Sequence, residues 1–271
     1  MLAYRFPVAF VSHGGGPWPI ISLDGFDESE RLSIRDYMQK INQIPNQKPE
    51  SLLVFSAHWE CPKFTINTNP NPKLLFDYYG FPDDAYTFKW PIKNDLSIIH
   101  KIKDVFVKAG MDFSETNKRD YDHGVFVPLI LSYPDAPIPV IQISLNRNLS
   151  PIDHFSLGEL LFPLRENGVF IIGSGNSYHN VGNMFNPTTK AINDSKQFND
   201  WLKKALSLDA DDRKKVLLDW ENAPAARACH PREEHFIPLL VTLGAAKNDV
   251  AKVSWSGSIN GTLNTAFHFE S

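Results

Sequence analysis

Apolar residues follow two rhythms along this chain, and together they predict an α/β fold. Short, unalternating runs bounded by turn formers recur at 8–11 (VAFV), 51–57 (SLLVFSA), 139–144 (PVIQIS) and 168–173 (GVFIIG). Runs of that length read as strands buried on both faces. Between them the spacing changes to three and four. Ile34, Tyr37, Met38 and Ile41 predict a helix opened by Asp27-Glu28, running to about Ile44 and ended by Pro45 and Pro49. Leu96, Ile99, Ile102 and Phe106 predict another, capped by Asn94 or Asp95 and closed by Gly110. Further helices are expected over 152–162, 195–206 and 211–220, and a terminal strand or hairpin over 252–269. Proline is favoured in the first helical turn, so Pro231 predicts a helix starting there, with His230 just before it and His235 in its second turn. No internal repeat or low-complexity tract interrupts this order.

Chemistry gathers where the strands end. His13 follows the first run and leads into Gly14-Gly15-Gly16, His58 follows the second, and His179 follows the 168–173 run through GSGNSYH. In open α/β sheets the carboxyl ends of strands border one ligand-binding crevice, so three imidazoles there could share one divalent cation, with His235 completing the set. Imidazole suits iron, zinc, copper and nickel and leaves the choice among them open; magnesium and calcium prefer oxygen ligands. Glu60, Glu233 and Glu234 read either as carboxylates that orient the rings or as solvated acids. Taken singly, each histidine reads as a hydrogen-bonded structural residue, and only their joint pattern points to a metal. Residues 62–92 combine five prolines with Phe76, Tyr78, Tyr79, Phe81, Tyr86, Phe88 and Trp90, as a binding loop or a satellite apolar cluster would. The G-x-S-x-G and Walker patterns are absent, and Cys229 reads as an inert buried thiol.

Composition narrows the classes. At 271 residues, 42% hydrophobic, the chain can bury one sizeable core, and one α/β domain over 1–271 is expected. A net charge of −4 gives no basic field to hold a phosphate backbone, which argues against nucleic acid as a partner. Arg5 is the one basic residue in the first twenty, matching neither a signal nor a transit peptide, and no run approaches the ~18 apolar residues of a membrane helix. Two cysteines give no disulfide framework, and the expected compartment is the cytoplasm. The oligomeric state carries no signal in the sequence.

Five motifs in order, SHGGGP (12–17), SAHWE (56–60), DHGVFVPL (122–129), GSGNSYHN (173–180) and HPREEHFIPLL (230–240), resemble the class III extradiol ring-cleavage dioxygenases of the LigB-type superfamily, in its 4,5-DOPA dioxygenase branch. The resemblance implies a three-layer α/β/α domain with a central mixed sheet and one non-haem metal. That metal is Fe(II) for activity, with Zn(II) often found in isolated members. It implies His13, His58 and His235 as metal ligands. His179 is implied as a further ligand in zinc-loaded members and as the acid/base in catechol dioxygenases, and His123 as a substrate contact. The implied reaction opens the ring of a small aromatic diol beside its hydroxyls with O2. Two rival readings are a non-catalytic metal-handling or signalling protein of the Memo type and a zinc-dependent hydrolase. The complete histidine set favours catalysis over the first, and four imidazoles leave zinc less room for water than three. A substrate carboxylate would call for a cation such as Arg227 or Arg232.

Overall fold

The computed structural model describes residues 4–184 and 186–271. In chain order its elements are β1 (Val8–Ser12), α1 (Glu28–Met38), β2 (Ser51–Ser56), β3 (Glu60–Cys61), β4 (Phe64–Asn67), α2 (Leu96–Lys108), β5 (Phe113–Thr116), α3 (His123–Ser132), β6 (Val140–Gln142), β7 (Leu145–Asn146), α4 (Pro151–Leu161), β8 (Val169–Gly175), α5 (Val181–Met184), α6 (Thr189–Leu206), α7 (Ala210–Leu218), α8 (Ala226–Cys229), α9 (Ile237–Ala246), β9 (Val250–Ile259) and β10 (Thr262–Glu270). Six strands form one mixed sheet in the order β6-β2-β8-β1-β10-β9. The first four are parallel to one another, and the β9–β10 hairpin closes the edge antiparallel to β1.

Strand alternation sets the layers. Across the sheet Ile141, Leu53, Ile171, Val8 and Phe269 stand in register in one row. All five belong to the same apolar cluster, which takes in Ile98, Ile102 and Phe106 of α2, Phe155 and Leu161 of α4, Phe198 of α6 and Leu240 of α9. One residue along, Val54, Ile172 and Ala9 share the next row and belong to a second cluster with Ile34 and Met38 of α1 and Val125, Phe126 and Leu129 of α3. Side chains of successive strand residues point to opposite faces, so a strand of unbroken apolar sequence requires helices on both sides. Each aliphatic side chain removed from water in these rows contributes about 1.5–3 kcal/mol.

Most predicted elements appear, with several differences, among them a helix, α3, in the apolar stretch after Asp122. The first helix stops at Met38 and is followed by a separate 3-10 turn, Ile41–Gln43. Within that turn the Asn42 side chain donates to the Ser132 carbonyl at the end of α3 (2.8 Å), fixing a bend that a continuous helix would lose. Residues 62–92 contain β4, which pairs with β5, and the polar stretch 145–151 contains β7, which pairs with β3. The helix over 195–206 begins earlier, at Thr189, because Thr188 caps it by accepting from Ala191 N–H (3.1 Å). Residues 231–236 are turns rather than helix: the proline of the first helical turn is Pro238 of α9, and His235 precedes that helix. Among the described residues no helix is long and apolar enough to cross a membrane.

Candidate metal centre

The parallel register places three strand ends side by side. Ser12 of β1 lies opposite Gly175, and Ser56 of β2 opposite Ser174, so His13 and His58 leave the sheet on either side of β8. His235 arrives above β8. A Cβ on Gly175 would overlap the His235 carbonyl, and one on Gly173 would overlap that of Pro238. The two glycines therefore serve close backbone approach, which sets the height of the third histidine. Asn176 then ties the strand ends together. Its side chain accepts from the Ser12 hydroxyl (2.5 Å) and donates to the Gly14 carbonyl (3.0 Å), while its N–H donates to the His235 carbonyl (3.1 Å).

The result is a convergence of ring nitrogens. His13 Nε2 lies 3.1 Å from His58 Nε2, which lies 3.2 Å from His235 Nε2, and one ligand atom from each of the three falls within 4.8 Å of the others. Metal–imidazole bonds of ~2.1 Å place ligand nitrogens roughly 3.0–3.4 Å apart, so the spacing suits one cation. The opposite ring nitrogens decide the tautomers. The Ser174 hydroxyl donates to the Gly124 carbonyl, so it meets His13 Nδ1 (3.0 Å) as an acceptor. His235 Nδ1 faces the Glu234 carboxylate (3.0 Å), which can only accept. Both Nδ1 atoms therefore carry the proton, and both Nε2 lone pairs point at the common centre. Burial first, then the neighbouring imidazoles, holds His13 and His235 well below the usual imidazole range. Burial likewise dominates in lowering His58. Neutral rings with free lone pairs fit a divalent metal.

The other two histidines flank this set. His179 stacks on His235, ring centroids 3.4 Å apart at 13°, with Nδ1 3.2 Å from the same Glu234 oxygen. His179, Glu234 and His235 form a second potential ligand set. His123 lies against His58 (centroids 3.9 Å) and donates from Nδ1 to Asp77 (2.7 Å), whose other oxygen is 3.8 Å from His58 Nδ1. Burial opposes ionisation of Asp77, but the His123 hydrogen bond and the two imidazoles outweigh it and bring its pKa down to about 2. His58, Asp77 and His123 are a third such set. All five histidines line one cavity of about 280 Å3 with Gly14, Gly15, Gly16, Asp77 and a wall of Trp18, Leu23, Phe26, Tyr78, Phe81, Met184 and Ile259.

The acids and arginines singled out from sequence divide. Glu234 alone touches histidines; Glu60 forks onto Arg232 (2.6 and 2.5 Å), and Glu233 pairs with Arg227 (2.6 Å). Arg227 is held on its other side by Glu221 (2.6 Å), and neither arginine lines the cavity. The aromatic excursion divides between an apolar cluster and the cavity wall. Phe76, Tyr86 and Phe88 pack with Phe126 or with one another, while Asp77, Tyr78, Tyr79 and Phe81 face the cavity. Cys229 is buried, and burial pushes its thiol up to about 12, which disfavours the nucleophilic thiolate. Sequence reasoning passed over Ser174, Asn176 and Asp77. The first two lie inside a quoted motif, but nothing in it marks their hydrogen bonds, and Asp77 lies outside every motif.

Comparison with known proteins agrees with this geometry. Residues 8–268 match the family model described as the catalytic LigB subunit of aromatic ring-opening dioxygenase. A 4,5-DOPA dioxygenase extradiol of Beta vulgaris is 34% identical over 256 residues, covering 92% of each chain. The dioxygenase tasH of Hapsidospora irregularis is 34% identical over 270 residues, covering 92% of this chain and 80% of its own. A crystal structure of an uncharacterized protein from Escherichia coli K12 shares the fold, with a TM-score of 0.80 at 21% identity over 98% of this chain and 100% of that one. The chain belongs to the LigB family of aromatic ring-opening dioxygenases.

Proposed function

We propose that the chain, acting as one catalytic domain over 1–271, opens the ring of a catechol with O2 at a single metal held by His13, His58 and His235. The observation that carries this reading is the convergence of three Nε2 atoms, two of them left with a free lone pair because acceptors behind the rings hold the proton on Nδ1. Fe(II) at that point would supply a redox-active centre for the diol oxygens and O2, as ring-opening chemistry needs. The flanking histidines handle protons. With Nδ1–H given to Glu234, His179 presents Nε2 as a base for a phenol proton and later as the acid that returns it. Asp77 holds His123 by Nδ1, leaving its Nε2 to bond a substrate hydroxyl or oxygen. The apolar wall excludes water from the ring being opened.

The test starts from metal-free protein, loaded anaerobically with Fe(II), given a catechol and then exposed to oxygen. One O2 consumed per catechol and a yellow ring-opened semialdehyde are expected; no oxygen uptake with any catechol sinks the reading. His13→Ala and His58→Ala should abolish metal binding, whereas His179→Ala should retain metal and lose activity. Parallel loss of metal and activity in His179→Ala would instead make His179 a ligand.

A further inference from the structure

The cavity has a charge pattern that the ring-opening chemistry does not require. Apart from the five histidines and Asp77, its lining is glycine, apolar or aromatic, and among the described residues it contains no lysine or arginine. The one acidic side chain in that lining is Asp77, which accepts from His123 Nδ1 (2.7 Å). The arginines around the site are paired elsewhere: Arg119 donates to the His58 carbonyl (3.1 Å) and to Asp122 (2.8 Å). Arg232 borders an adjoining cleft that shares His58, His179 and His235, but its guanidinium is forked onto Glu60 (2.6 and 2.5 Å) with Glu234 at 3.5 Å. Arg227 is shared between Glu221 and Glu233.

We propose that this cavity takes catechols whose ring substituent is uncharged, such as an alkyl, alkenyl, aryl or ester group, and selects against those bearing a carboxylate. The inference rests on the ring-opening reading and adds the substrate class. With the diol at the metal, the substituent lies against Trp18, Phe26, Phe81 or Ile259, where its apolar surface leaves water. A carboxylate on a short arm would lose hydration there and meet no lysine or arginine, only the Asp77 carboxyl already bonded to His123; burying an unpaired charge is heavily disfavoured. At about 280 Å3 the cavity lies just below the usual ~300–1,000 Å3 for ligand pockets. A short-armed substituent is thus kept within the lining.

The experiment compares 3,4-dihydroxyphenylpropanoate with its methyl ester, which has the same reach without the charge, and includes 4-ethylcatechol. Steady-state kinetics on the Fe(II)-loaded protein are paired with anaerobic calorimetric binding to the Zn(II)-loaded protein. The ester and 4-ethylcatechol should exceed the acid by about 100-fold in kcat/KM, with the difference seen in Kd as well. Leu23→Arg or Val181→Arg, two substitutions at half-buried or exposed positions of the lining, should narrow that gap at least about tenfold by raising the acid. An acid that binds and turns over as well as its ester overturns the substrate class and leaves the ring-opening reading standing. Failure of all three compounds to bind and react overturns both.

Discussion

Ser174 shows how much of a proposed metal ligand's geometry lies behind it. Its hydroxyl proton goes to the Gly124 carbonyl, so the oxygen can only accept from His13 Nδ1, and this forces the lone pair onto Nε2. Ser174→Ala should therefore leave the fold intact yet weaken metal binding by roughly 10–100-fold, as losing such a supporting bond does. Competition against a chromophoric chelator reads this directly; unchanged affinity would show that the ring is oriented by packing alone. His13, His58 and His179 were legible because each follows an apolar run, and topology alone takes such positions to one edge. Ser174, Asn176 and Asp77 were not, since a side-chain hydrogen bond leaves no periodic trace. Glu234 could not be told from Glu60 and Glu233 by type, and only the turn at 231–236 aims it at two imidazoles while its neighbours meet arginines.

At the scale of elements, sequence resolved what is long and periodic. Four parallel strands and α2 appear close to where the pattern put them. By contrast β3 and β7 have two residues each, too few for any period, and exist because the chain passes there. Pro231 and Pro238 are equivalent signals in sequence; the backbone contact of Gly173 and Gly175 with the 235–238 carbonyls favours the second as the helix start. The join between β7 and α4 carries a prediction of its own. His154, fully buried, accepts from Asn146 N–H at Nε2 (3.1 Å) and donates from Nδ1 to the Ser150 carbonyl (2.7 Å). Burial lowers its pKa to about 4, outweighing the Ser150 bond. Unfolded, it titrates near ~6.5. Between those values the unfolded chain binds the extra proton, so the stability due to neutral His154 is complete above ~6.5 and is lost as pH falls toward about 4. The loss is about 3 kcal/mol. Urea unfolding of the protein and of His154→Gln at about pH 7 and about pH 4.5 should show a smaller drop in stability for the variant. Other buried histidines such as His230, lowered to about 3 by burial, titrate in both proteins and cancel in the comparison.

For the whole molecule, the three Nε2 atoms belong to segments that only the finished sheet brings together: His13 after β1, His58 after β2, and His235 before α9. The two apolar clusters hold the sheet from both faces without help from the site, so the fold should persist without metal. The centre, however, exists only in the folded chain. Neutral imidazoles whose lone pairs face one another repel, and a bound cation would replace that repulsion by attraction among distant segments. Metal binding and global stability are then linked by mass action. At a free metal concentration of ~100 times Kd the folded state gains about 2.7 kcal/mol. For a chain of this size that is a rise of roughly 5–10 °C in Tm. Calorimetric scans with Zn(II), which undergoes no redox change, should show the rise at one equivalent, its reversal by chelator, and its absence in His58→Ala. His123→Ala should keep it, because His123 bonds Asp77 and stands outside the His13–His58–His235 set. A rise that survives in His58→Ala, or one that needs His123, would place the metal in a different set of ligands from the one proposed.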